Sequence, residues 1–266
     1  MTVTRALVPC GGRGTRMMGL TGGAPKELID IGGVPVVVRV LEECAASGIE
    51  EVLVVISPEK NAVVDLLAPL SGRERMPASI SFAVQQEPRG LADAIRLGRG
   101  FAGTGPMGVA LPDNLFAGAA PGLKQVIDTH VATGKNVVAV VEITAAEASR
   151  RGPTSVYPGR ISGDEFVIDR IPGKGERGKT FDTGGAASAF TGVGRFVFTP
   201  DAFDAIDFVE ETLSAGAELD DVPVMQRLLE GGRLTGRRIV GRFFDVGLPG
   251  GYDEAKTEYS GAASSG

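Results

Sequence analysis

The sequence is short of several residue types on which common chemistries depend. It holds one histidine and two cysteines, Cys10 and Cys44, among 266 residues. The cysteines form no Cys-x-x-Cys pair, so a zinc site has almost no ligands to draw on. The same scarcity fits a reducing, cytoplasmic setting rather than a disulfide-stapled secreted one. Cys10 reads as a space-filling side chain, not a nucleophile. No apolar run reaches membrane-spanning length, and no basic segment followed by an apolar one opens the chain. A formal net charge of −6 argues against a general nucleic-acid-binding surface. The expectation is therefore a protein with neither nucleic-acid nor membrane partners. No internal repeat of fixed period is present.

Two familiar nucleotide signatures are also missing. A Walker A loop needs Gly, four residues, then Gly-Lys-Ser/Thr, and none occurs. The dinucleotide fingerprint Gly-x-Gly-x-x-Gly fails because Gly12-Arg-Gly14-Thr-Arg-Met17 puts methionine at the third glycine. That makes a nicotinamide oxidoreductase the least favoured enzyme class.

What is present begins at Ala6-Leu-Val-Pro-Cys-Gly-Gly-Arg-Gly-Thr-Arg16, with Pro25-Lys26-Glu27 after it. An apolar strand breaks into a loop carrying Gly11, Gly12 and Gly14. Without Cβ atoms, such a loop lets backbone N–H groups approach phosphate oxygens. Arg16 and Lys26 add the positive charge that a triphosphate or pyrophosphate needs. Glycine turns after strands are common in α/β proteins, so the glycines alone do not decide the function.

The hydrophobic pattern alternates strands and helices through the first 150 residues. Strands are predicted over 4–9, 51–56, 80–84, 107–111 and 136–141, with helices over 34–47, 60–67, 91–97 and 122–133. This alternation predicts an α/β fold: a Rossmann-like, mostly parallel sheet sandwiched by helices. After residue 150 the rhythm changes. Strands over 156–157, 165–170 and 190–199 follow without helices between them, then helices over 201–213 and 221–230, a strand over 238–244 and a helix over 251–260. Residues 173–187, rich in Gly, Lys and Thr, read as a loop. The organisation expected is a nucleotide-binding half, 1–150, and a smaller β-rich half, 151–260, within one domain. The small polar stretch 261–266 is expected to be a disordered tail.

Four motifs stand in order: the glycine loop with Arg16 and Lys26; Gln85-Gln-Glu-Pro-Arg-Gly-Leu-Ala-Asp-Ala94; Leu111-Pro-Asp113-Asn; and Phe244-Asp245-Val-Gly-Leu-Pro-Gly-Gly-Tyr252. Asp113 ends an apolar strand, where open α/β sheets place their ligands. Asp245 also follows a strand-like run. Two carboxylates brought together can hold Mg²⁺, which takes oxygen ligands and nucleotide phosphates. Each aspartate taken alone is equally a turn former or a helix cap. The ordered set resembles the sugar-1-phosphate nucleotidyltransferases, the nucleoside-diphosphate-sugar pyrophosphorylases. It is most similar to the bacterial UTP–glucose-1-phosphate uridylyltransferases and glucose-1-phosphate thymidylyltransferases, over residues 5–259.

The resemblance implies a Mg²⁺-dependent displacement at phosphorus. A sugar-1-phosphate oxygen attacks the α-phosphorus of a nucleoside triphosphate, UTP or dTTP favoured, and pyrophosphate leaves. Arg16 would hold the leaving pyrophosphate and Lys26 the phosphate at the reacting centre. Asp113 and Asp245 would hold the metal. Gly11, Gly12, Gly14 and Thr15 would line the nucleotide site, with Gly90 giving base and ribose close access to backbone. Gln85 would read the base, although Gln86 can equally turn in; Arg89 reads as surface. Self-association into a homo-oligomer is also implied.

The acceptor half departs from the family pattern. A Glu-Lys-Pro triplet is usual where this chain has Val167-Ile-Asp169-Arg170-Ile-Pro172. Asp169 is a methylene shorter than Glu, and Arg170 is planar and forked where Lys is a point charge. The pair is also readable as ordinary charges on a surface strand. Ser155 stands at the glycine position of the usual Tyr-Gly pair, and Ser188 or Thr191 where an Asn is usual. These departures point to a modified sugar or cyclitol phosphate as acceptor. Two other readings stay open: a nucleotidyltransferase for a non-sugar phosphate, and a catalytically silent nucleotide-binding regulator. Retention of Arg16, Lys26, Asp113 and Asp245 disfavours the last.

Overall fold

The computed structural model describes residues 2–12, 25–151, 156–173, 186–214 and 216–263. In chain order the first part of the chain contains β1 (Arg5–Cys10), β2 (Asp30–Ile31), β3 (Val34–Pro35), α1 (Val36–Ala46), β4 (Glu51–Ile56), α2 (Asn61–Leu67), β5 (Ser79–Val84), α3 (Leu91–Arg96), α4 (Arg99–Ala102), β6 (Met107–Ala110), β7 (Asn114–Ala117), α5 (Gly122–Thr133) and β8 (Asn136–Thr144). The remainder contains α6 (Ala145–Arg151), β9 (Gly159–Ser162), β10 (Glu165–Ile168), β11 (Ser188–Phe198), α7 (Asp201–Thr212), α8 (Asp221–Glu230), β12 (Leu234–Arg238), β13 (Arg242–Asp245) and α9 (Pro249–Ala263).

A nine-stranded sheet runs in the order β5-β4-β1-β6-β11-β8-β12-β10-β9. β1 pairs in parallel with β4 and β6, β4 with β5, and β8 with β12. Only β11 and β10 run against the rest. The predicted α/β class is thus observed, as a mixed, mainly parallel sheet. Its inner strands β1, β4, β6 and β8 are largely buried and apolar on both faces because helices cover both. Ala6, Val8 and Cys10 of β1 enter one core with α1, α2 and α5, whereas Leu7 enters the other with α3, α7 and α8.

Two sequence expectations need correction. The late strand over 238–244 is two: β12 ends at Arg238, and β13 starts at Arg242 after Gly241. β13 leaves the main sheet to pair with β7, which the sequence pattern did not reveal. The segments before and after residue 150 share one sheet, with β11 inserted between β6 and β8. Finally, α9 runs to Ala263, past the expected start of the tail. Most of the 173–187 loop lies outside the described residues.

Candidate active site

The chain leaves β6 at Ala110 and turns through Leu111-Pro-Asp113 into β7. β7 pairs antiparallel with β13, so Asn114 faces Asp245 in register. The Val246 N–H donates to the Asp113 carbonyl at 2.9 Å. This pairing brings Asp113 and Asp245, far apart in sequence, to either side of Gly247. A Cβ on Gly247 would lie 3.1 Å from Asp113 Oδ2 and 3.2 Å from Asp245 Oδ1. The space between the carboxylates exists because residue 247 has no side chain.

Lys26 reaches the same place from a 3₁₀ turn, Lys26–Leu28. Its Nζ donates to Asp113 Oδ2 at 2.5 Å. Burial alone would lower the Lys26 pKa, but the Asp113 carboxylate, its hydrogen bond and Glu27 together hold it above the usual range. Lys26 therefore stays cationic at neutral pH. Beside it, burial reinforced by Glu27 pushes the Cys10 thiol well above its ordinary value. A neutral buried thiol is a poor nucleophile.

Gln85, just beyond β5, turns inward, whereas Gln86 is exposed. The Gln85 Nε2 donates to Asp93 Oδ2 at 2.8 Å and to the Gly90 carbonyl at 3.1 Å. Oε1 sits over the glycine loop, 2.9 Å from where a Cβ on Gly11 would be. Gly90 has φ +113°, and its Cβ position would fall 2.4 Å from the Leu219 carbonyl oxygen. The close approach of that backbone accounts for the glycine. Arg89 is exposed, as the sequence suggested, and ion pairs join it to Asp93 and Glu210. Arg16, Gly14, Thr15 and Ser155 lie outside the described residues.

A model of the family described as nucleotidyl transferase matches residues 5–261. The chain belongs to the nucleotidyl transferase family. A Staphylococcus saprophyticus relative, UTP–glucose-1-phosphate uridylyltransferase 2, is 28% identical over 97% of this chain and 92% of its own. The Bacillus subtilis UTP–glucose-1-phosphate uridylyltransferase is 27% identical over 97% and 91%. A crystal structure of UDP-glucose pyrophosphorylase complexed with UDP-glucose covers 98% of this chain and all of its own (100%), with a TM-score of 0.81 at 23% identity. That last likeness is one of fold.

In this nucleotidyltransferase the Asp113 turn is braced by residues that do not stand out in the sequence. A β-bulge between Val193 and Phe196 interrupts the β11–β8 register and aims Arg195 beneath the sheet. Its guanidinium is fully buried against Glu43 of α1, with Nη2 to Glu43 Oε2 at 2.7 Å. Nη1 also donates to the Leu111 carbonyl at 3.0 Å, and Nη2 to the Asn114 carbonyl at 2.6 Å. Arg195 thus grips the turn on both sides of Asp113. Asn114 Oδ1 accepts from the Gly194 N–H at 2.8 Å, and its Nδ2 donates to Asp113 Oδ1 at 3.1 Å. Gly194 itself has no room for a side chain, since its Cβ position lies 2.4 Å from Leu111 Cβ.

The expected acceptor residues are placed differently. Asp169 and Arg170 follow β10 and are exposed. Asp169 Oδ1 is 3.5 Å from Arg160 Nη1 on neighbouring β9, rather than joined to Lys26, Asp113 or Asp245. Between β6 and β10 lie β11, β8 and β12, roughly 19 Å of sheet at the usual strand spacing. Thr191 is buried, and Ser188 Oγ donates to Glu142 Oε1 at 2.6 Å. No described helix is long and apolar enough to cross a membrane.

Proposed function

We propose that the chain transfers a uridylyl group from UTP to a sugar-1-phosphate, releasing pyrophosphate. The observation that carries this reading is the convergence of Lys26, Asp113 and Asp245 around the bare Gly247. The activity for which the uridylyltransferase relatives are named supports both substrates. An acceptor phosphate oxygen attacks the α-phosphorus, a new P–O bond forms, and the bond to the departing pyrophosphate breaks. Catalysis of this kind is mostly positioning and charge stabilisation. Lys26 exchanges its Asp113 partner for phosphate oxygens and neutralises charge as it develops.

The donor set suits Mg²⁺: two hard carboxylates flank a space that a single Cβ would fill, and nucleotide phosphates complete such sites. No cluster of three or more His, Cys, Asp or Glu occurs among the described residues, so phosphate oxygens are needed to finish the coordination. Held there, the ion would neutralise triphosphate charge.

The Gln85 amide favours uracil or thymine over cytosine. A carboxylate only accepts hydrogen bonds, so Asp93 holds the amide nitrogen toward itself and leaves Oε1 against Gly11. An acceptor there suits the N3–H of uracil or thymine and repels the N3 lone pair of cytosine. The altered acceptor residues Asp169 and Arg170 motivate a modified sugar or cyclitol phosphate over plain glucose-1-phosphate. Pyrophosphate release, measured with Mg²⁺ across five nucleoside triphosphates and a panel of sugar and cyclitol 1-phosphates, tests all of this. Release with UTP and one acceptor class is expected. Silence across the panel with UTP binding intact would favour a regulator or a non-sugar acceptor. Equal efficiency with glucose-1-phosphate would remove the modified-acceptor reading.

A further inference from the structure

Lys60 lies at the start of α2, and its charge is almost wholly withdrawn from solvent: its side chain is 7% exposed and that of its partner Glu27 is 0% exposed. The Lys60 Nζ donates to the Cys10 carbonyl at 2.7 Å and the Gly12 carbonyl at 2.5 Å. It meets Glu27 Oε1 and Oε2 at 2.9 and 3.0 Å. An ammonium has three donors. Two carbonyls and one carboxylate use all of them, so none remains for a substrate phosphate.

The partners come from the two ends of one segment. Cys10 and Gly12 are where the chain enters the glycine loop, and Glu27 is where it has returned, next to Lys26. Buried ion pairs add little net stability over apolar replacements, so the value of this one lies in what it fixes. Because a trans peptide holds C=O and N–H antiparallel, a Cys10 carbonyl turned toward Lys60 turns the Gly11 N–H away from it. The Cys10 and Gly12 carbonyls face the buried cation and the Gly11 N–H faces the other way, the polarity an anion requires. On the return side, Glu27 anchored inward leaves Lys26, its neighbour, directed at Asp113.

We propose that Lys60 is a positioning residue that clamps both ends of the glycine loop and, through Glu27, sets Lys26 for the triphosphate. The proposal rests on the nucleotidyl-transfer reading but concerns only its nucleotide side. It predicts damage to UTP binding and kcat, with KM for the acceptor unchanged.

Three proteins test it: wild type, Lys60→Arg, and the double variant Lys60→Met/Glu27→Leu, which removes both buried charges together. UTP affinity by calorimetry, thermal midpoint, kcat and both KM values are measured on each. The clamp predicts a double variant that still melts cooperatively yet binds UTP at least tenfold more weakly. It predicts that Lys60→Arg, which keeps the charge but not the three-way geometry, loses at least tenfold in kcat. A double variant with wild-type UTP affinity and kcat would overturn the proposal, leaving the pair purely structural. Should the double variant not fold, Lys60→Arg decides: wild-type UTP affinity and kcat there also overturn it. A wild-type protein that binds UTP but turns over no sugar phosphate sinks the functional reading alone, since UTP affinity still reads the clamp. A wild type that binds no nucleoside triphosphate overturns both.

Discussion

Two regions of the molecule, around Asp113 and around Asp169, are built on opposite principles. At the Asp113 end, charges are buried and spent on backbone carbonyls: Arg195 holds Leu111 and Asn114, and Lys60 holds Cys10 and Gly12. At the Asp169 end, the charges are on the surface, with the side chains of Asp169 and Arg160 56% and 72% exposed. A surface pair is worth about 0–1 kcal/mol, whereas removing one partner of a buried pair costs about 3–5 kcal/mol. One end is therefore fixed by the fold and the other is cheap to vary.

The largest effect that would break this contrast is at Asp113. Asp113→Ala is expected to lower pyrophosphate release by about 100-fold or more, with the fold intact by circular dichroism; a loss under about threefold would move the chemistry elsewhere. Next comes Arg195→Met, which strands Glu43 and frees the turn's carbonyls. Urea denaturation should show about 3–5 kcal/mol lost, and a variant within about 0.5 kcal/mol of wild type would refute the brace. Gly247→Ala sharpens the comparison by separating site from scaffold. Its Cβ pushes on both carboxylates, so half-saturation by Mn²⁺ in a paramagnetic titration with UTP present should rise about tenfold with little change in melting. Asp169→Ala, at the far end, should leave stability within about 0.5 kcal/mol while raising acceptor KM alone; an unchanged KM removes Asp169 from the acceptor site.

The smallest effect is on pH. Burial raises the Cys10 thiol and the Tyr157 phenol and pushes Cys44 up to about 12. The folded protein then keeps protons that the unfolded chain releases from about pH 8.5 upward, so stability falls as pH rises beyond that point. The raised Lys26 pKa acts in the same direction, its contribution present below the unfolded value and lost as pH climbs through the folded one. Thermal midpoints between pH 8 and 11 should decline steadily; a flat profile would contradict the burial of these groups.

Much of the scaffold is legible in local pattern. Helices over 122–133 and 221–230 and the strand over 51–56 are readable because periodicity and flanking Pro or Gly are local signals. The placement of Asp113 at a strand end is readable for the same reason. Arg195, Glu43, Lys60 and Glu27 are not, because a charged residue in a sequence looks solvated. Their burial depends on partners 152 and 33 residues away. β7 and β13 escape notice for a related reason. Each is four residues long, and their pairing to each other is what makes them strands.

The insertion of β11 between β6 and β8 also bears on the order in which the chain can be made and used. While a ribosome has delivered only the first 150 residues, β6 and β8 lack the strand that joins them, and each offers an open edge. The sheet cannot close until Phe198 has emerged, so a fragment ending near residue 150 is expected to aggregate rather than fold. The first 150 residues are a region of the sequence, not a detachable part, and the enzyme is best engineered as a whole chain.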